Sequence, residues 1–260
     1  MSPEVDNTAR SRLNLPGSLA TVAAAHLERE IIEGRLRPGE RLLEHRWASE
    51  LGISRGSFRE VLRILATAGL VEIVPRRGAT VAATSTKDVR EIFLLRKHLM
   101  SIAAEAAVEN ITEDQIEALQ KIMQKMEEAT HRANLSSYFR WNLAFLDMIV
   151  DISGIGRLRD LLQYLGKSTL RYRFIGLNLP DGMNSSLQAN REILAALASR
   201  DGAAVRGIVF RMIERAGEAL CEALERDEDA GLGVRGPLHA VPATIADRAR
   251  TPGGSHPEAE

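Results

Sequence analysis

The segment Ser54–Val71, SRGSFREVLRILATAGLV, with EIVPRRGATVAA directly after it, constrains this 260-residue chain more than any other stretch. On a helical wheel Phe58, Val61, Leu62 and Leu65 fall within an arc of about 100°, the width of a core-facing stripe. Arg59, Arg63, Gly56 and Glu60 occupy the opposite side, with Arg55 at the border in the first turn. Ser54 has the short hydroxyl side chain that caps a helix start. Beyond this helix, Val71–Val74 and Ala79–Ala82 are short β-branched runs separated by Pro75-Arg76-Arg77-Gly78, which predicts a hairpin with a basic tip. A helix with arginines on its free face, then such a ribbon, suits a DNA major groove with the hairpin at the adjacent backbone or minor groove.

The residues upstream complete that unit. Ser18 predicts a helix N-cap, and Leu19, Ala23, Leu27 and Ile31 then recur every four residues along one face. Gly34 ends this helix, Pro38-Gly39 turns the chain, and a shorter helix over Glu44–Leu51 stops at Gly52. The expected architecture for 18–82 is a winged helix-turn-helix of three helices plus a β-hairpin, after a flexible arm over 1–17. Charge agrees: Arg10–Ala82 holds 12 Lys/Arg against 8 Asp/Glu, whereas Ala83 to Glu260 holds 22 against 25. A basic head on an acidic remainder is the electrostatic footprint of nucleic-acid binding. Arg55 opposes the helix dipole at a local cost of a few tenths of a kcal/mol, which a bound phosphate offsets. Guanidinium groups here can grip phosphates or sit bidentate on guanine O6 and N7. Gly56 leaves room for close backbone approach, and Ser57 offers a small hydroxyl.

After the polar break at Thr84-Ser85-Thr86 the pattern becomes wholly helical. Ile92, Leu95, Leu99, Ile102 and Ala106 mark one predicted inward face, and Ile116, Leu119, Met123 and Met126 mark the next. Further helices are expected over 135–152, 157–176, 185–199 and 203–225. The expected arrangement is a linker at 83–87, an all-α six-helix bundle over 88–226 and a disordered tail over 227–260. Cys221 is the sole cysteine, which excludes an intramolecular disulfide and a cysteine-based zinc site. There is no secretory leader and no apolar run of the ~20 residues a membrane helix needs, so a cytoplasmic location is expected. No nucleophile elbow, Walker loop, dinucleotide fingerprint or HExxH motif points to an enzyme.

These segments resemble a known family. IIEGRLRPGERL, LEHRWASELGISR and FREVLRILATAGLVEIVPRRGATV look like the amino-terminal domain of GntR-type transcription regulators. DVREIFLLRKHLMSIAAEAA, SGIGRLRDLL and REILAALASRDGAA resemble the FCD domain of the FadR/VanR branch. The resemblance implies a homodimer on double-stranded operator DNA, most often as a repressor. It places Arg55 and Arg59 at the two recognition-helix positions, Gly78 at the wing tip, Arg77 beside it, and His45 where some members carry an arginine.

FCD domains typically hold a divalent metal, and the implied ligand positions here are Asn142, Leu146, Asn190 and Met212. Leucine has no donor atom, neutral amides are weak ligands, and a thioether suits soft copper, so no metal or other cofactor is expected. Arg96 stands where the family commonly has an arginine near the effector. Read from the residues alone, it serves an anionic effector, an internal ion pair or a solvent-facing charge. Tyr138 and the Arg171-Tyr172-Arg173 cluster are further candidates. The reading is a metal-free pocket for a small organic effector, partly apolar with a polar or anionic end. The alternative is a pocket filled by Leu146, Met212 and neighbours in a ligand-independent DNA-binding or scaffold protein.

Overall fold

A computed structural model of the protein describes residues 18–74, 78–83, 85–165 and 168–229. The arm expected over 1–17 and residues 230–260 of the tail expected over 227–260 lie outside the described residues, whereas 227–229, expected to be disordered, continue the last helix. The helix α1 (Leu19–Ile32) begins where Ser18 Oγ accepts the Thr21 N–H at 3.2 Å. It buries Ala20, Ala23, Ala24, Leu27 and Ile31 and packs chiefly on α3 (Arg55–Thr67). Leu19, expected to face inward, is 75% exposed. The buried stripe runs through Ala20 and Ala24 on its other edge instead.

A two-residue strand, β1 (Arg41–Leu42), adds to the expected hairpin of β2 (Val71–Val74) and β3 (Gly78–Val81). The antiparallel order is β1-β3-β2, with Leu42 opposite Ala79 and Val74 opposite Gly78. Gly39, at φ +72°, makes the turn into β1 and donates its N–H to the Val81 carbonyl at 2.9 Å. Between β1 and α3 lies α2 (Glu44–Glu50), which buries Trp47 and Ala48. Together these elements enclose one core around Leu27, Phe58, Val61 and Leu65.

The second core belongs to the remaining helices. Ser85 caps α4 (Thr86–Asn110), which therefore starts inside the expected linker. It buries Val89, Phe93, Arg96, Met100, Ala103 and Ala107. Leu95 and Ile102, expected on the inward face, are 51% and 43% exposed. This helix is apolar on two sides, so periodicity alone chose the wrong one. A capping box between Thr112 and Gln115 starts α5 (Glu113–His131), and α6 (Leu135–Ile152) runs as expected. The single helix expected over 157–176 is two, α7 (Gly156–Tyr164) and α8 (Ser168–Asn178). With α9 (Gly182–Ala198) and α10 (Gly202–Asp229) the body has seven helices among the described residues, not six. Its spine is the α4–α10 pair, where a Cβ at Gly217 would stand 2.9 Å from Phe93.

Head and body are joined by four residues, 82–85, and meet along α8. Phe174 of α8, Phe139 of α6 and Ile32 of α1 form a separate apolar knot, the two phenyl rings edge to face at 5.3 Å. Buried Arg171 donates from Nη1 to the Ala82 carbonyl at 2.7 Å.

Candidate nucleic-acid interface and effector chamber

The exposed end of α3 is organised by its cap. Ser54 Oγ accepts the Ser57 N–H at 3.0 Å and lies 2.9 Å from Ser57 Oγ. Arg55, Gly56 and Arg59 are exposed, and Ser57 is half-buried. A Cβ on Gly56 would meet only Ser54 Oγ, at 3.7 Å, so the head's packing does not require glycine there. Arg59 reaches from α3 to α2, its Nε 2.9 Å from Glu44 Oε2. That pair is not legible in the sequence, because a turn separates its members and no helical spacing links them. His45, the next residue of α2, is exposed. Gly78 opens β3 at φ +91° with open space where a side chain would stand. Arg76 and Arg77, between the strands, lie outside the described residues.

The body gathers buried polar groups where α6, α8 and α9 meet. Tyr138, Asn142 and Leu146, spaced one turn apart on α6, are all buried. Asn142 Nδ2 and Asn190 Nδ2 each lie 3.4 Å from Ser186 Oγ on α9. Asn142 Oδ1 accepts from Arg173 Nη2 of α8 at 3.2 Å. The Tyr138 hydroxyl lies beside Ser186 and Asn190 without a well-aligned hydrogen bond, and Asn190 Oδ1 is likewise unpartnered. Burial pushes the Tyr138 hydroxyl up to about 12. Arg96, 6% exposed, sits on the buried face of α4 with its Nε unpartnered, which excludes the solvent-facing alternative. Its pKa is driven well below the ordinary guanidinium range by burial and then by the like charge of Arg173. Burial likewise lowers half-buried Arg173 to about 10, against the pull of Asp147. Asp147 is exposed at the edge and acts on both guanidiniums. Met212 packs half-buried against the body's core, and no polar contact brings it to this cluster. Ser186 was not anticipated, since a lone serine carries no signal without knowing what faces it.

Residues 19–81 match the family described as bacterial regulatory proteins, gntR family, and residues 91–215 match the FCD domain. The chain is a GntR-family regulator with an FCD domain. It is 26% identical over 204 residues to an uncharacterized HTH-type transcriptional regulator, YdhC, of Bacillus subtilis, covering 78% of this chain and 91% of that one. Over 203 residues it is 26% identical to the HTH-type transcriptional repressor RspR of Escherichia coli, covering 78% and 89%. In fold it resembles E. coli McbR/YncC, with a TM-score of 0.68 at 22% identity over 80% of this chain and 99% of that one. This GntR-type chain binds DNA through its winged helix-turn-helix, and its family is one of transcription regulators rather than enzymes. Among the described residues no helix is long and apolar enough to cross a membrane.

Membership implies a divalent metal in the FCD domain, and the donor set here does not fit one. Asn142, Leu146 and Asn190 supply no charged donor. Two guanidiniums, Arg96 and Arg173, bring positive charge to the same place, which repels a cation. Among the described residues no three His, Cys, Asp or Glu side chains gather as a ligand set.

Proposed function

We propose that this protein is a homodimeric repressor released from a pseudo-palindromic operator by a small organic anion bound in the body without a metal. Residues 18–81 form the DNA-reading head and the helices from Thr86 onward the effector-binding and dimerisation body, joined through 82–85. Each head lays α3 in a major groove, the two about 10 bp apart centre to centre. Arg55, Gly56, Ser57 and Arg59 read bases or phosphates there. His45 and the wing residues Arg77 and Gly78 touch the flanking backbone and minor groove. Arg59 exchanges Glu44 for a phosphate or a guanine edge on docking. Exposed Leu95 and Ile102 on α4, beside a groove of about 410 Å3 shared with α10, support a dimer built on that face.

The observation that carries the effector reading is the buried, unpartnered Nε of Arg96 beside a second desolvated guanidinium. Two charges held out of water with only the edge carboxylate of Asp147 acting on them are unfavourable, and a ligand carboxylate or phosphate relieves both. At the other end of the cluster, Asn190 Oδ1 and the Tyr138 hydroxyl await a polar group, and Leu146 offers an apolar wall. A ligand with differential affinity for two placements of the heads shifts operator binding; coupling of about 1–3 kcal/mol is roughly 5–150-fold. Metal-free titration tests this: operator release by candidate organic anions persists in EDTA, and loss of the response on chelation refutes the metal-free site.

A second reading has its own support, because Tyr138 and Asn190 show no solvent exposure. In that case the chamber is filled and the protein binds DNA independently of ligand. A melting temperature raised by an organic anion favours the sensor, and indifference to a broad anion panel favours the filled chamber.

A further inference from the structure

The helix α8 holds the head at two separate points. One is a hydrogen-bonded line that runs back to the recognition helix. Arg171 Nη1 donates to the Ala82 carbonyl at 2.7 Å, Ala82 N–H donates to the Leu70 carbonyl at 2.9 Å, and Leu70 N–H donates to the Leu65 carbonyl of α3 at 3.0 Å. Leu65 and Leu70 are buried, so this line is anchored in the head's core. The other point is Phe174, packed on Ile32 at the end of α1 and edge to face with Phe139. A single attachment would leave the head free to swivel about residues 82–85. Two attachments, one at the exit of β3 and one at the end of α1, fix its facing.

Arg171 is a costly residue for simple packing. It is 5% exposed, and among the described contacts no carboxylate pairs with it; its recorded hydrogen bond is to a neutral carbonyl. A buried cation of this kind is less favourable than an apolar side chain of similar volume, so packing alone does not account for it. What the guanidinium supplies and an aliphatic chain cannot is a directional grip on the head's last backbone carbonyl. Two residues along the same helix, Arg173 reaches the opposite way to Asn142.

We propose that Arg171 is a positioning residue for operator recognition: with Phe174 it clasps head to body and so sets the distance and facing of the two recognition helices. The inference rests on the dimeric reading given above. It concerns which operators are accepted, not how tightly one head grips DNA.

The experiment uses the full chain and an operator selected from random duplexes, with the half-site spacing then lengthened or shortened by one base pair. The wild type loses at least tenfold in affinity for either altered duplex. Arg171→Met loses less than threefold, while its affinity for a duplex carrying one half-site stays that of the wild type. Arg171→Lys, which keeps a donor, restores part of the discrimination. Phe174→Leu, a milder change, relaxes it in the same direction should the methionine variant not fold. Equal spacing penalties in wild type and variants overturn the clasp, as does a uniform loss of affinity that includes the single half-site. A wild type indifferent to spacing overturns the dimeric reading, and this inference with it.

Discussion

Arg59 and Arg96 are the same side chain in opposite surroundings. Arg59 lies in solvent on α3, steadied by Glu44 across a gap that water and salt screen. Arg96 lies inside the body, its Nε without a partner and its charge opposed by desolvation and by Arg173. The first stays solvated at little cost and suits a large polyanion that arrives from bulk water. The second is stable only because the rest of the fold holds it, and it suits one small anion that can enter. On the function proposed above, the first kind of cation dwells on DNA and the second registers a metabolite.

The comparison can be broken or sharpened by four substitutions. The largest effect falls where the two regions meet. Phe174→Ala removes a buried ring from the knot with Ile32 and Phe139 and lowers unfolding stability by about 3–5 kcal/mol, read by denaturant titration. Arg96→Met comes next and carries the opposite sign. Replacing a buried, poorly paired cation with an apolar chain raises stability on the order of 1–4 kcal/mol and abolishes the effector response, while operator affinity is kept. A drop in melting temperature would show that Arg96 has an internal partner and is structural. Arg59→Ala weakens operator binding by about 1–3 kcal/mol with the melting temperature unmoved. Fluorescence anisotropy at fixed salt measures it, and unchanged affinity would contradict the docking of α3. The smallest effect belongs to Glu44→Gln. It frees Arg59 from an exposed pair worth about 0.2–1 kcal/mol and removes a negative charge near the phosphates, so operator affinity rises a few-fold. A fall instead would mean that Glu44 pre-orients Arg59 for the groove.

The head was legible because its signals are local. Ser54 as cap, Gly39 and Gly52 in left-handed turns, the stripe from Phe58 to Leu65 and the β-branched ribbon each act within a few residues. β1 escaped because two residues carry no period, and its pairing with β3 is made across the fold. In the body the helices announced themselves, yet which face of α4 turned inward did not. Leu95 and Ile102 satisfy the same spacing as Phe93 and Met100, and α10 decides between them. The cluster was half visible: the resemblance drew attention to Asn142, Asn190 and Arg96, whereas Ser186 and the inward turn of Arg173 depend on how α8 and α9 lean on α6. The division of one expected helix into α7 and α8 mattered most, since the shorter α8 is what reaches the head.

The junction of residues 82–85, too short for slack and gripped on its first carbonyl, bears on how such proteins diversify. In many two-part regulators the reader and the sensor could be traded between lineages like interchangeable cartridges. Here a transplanted reader would arrive without the complement of Arg171 and Phe174 unless its last strand and first helix had matching ends. Chimeras cut at Ala82 should therefore work only when α8 travels with the reader, so that inheritance follows the seam between these modules rather than their sequence order.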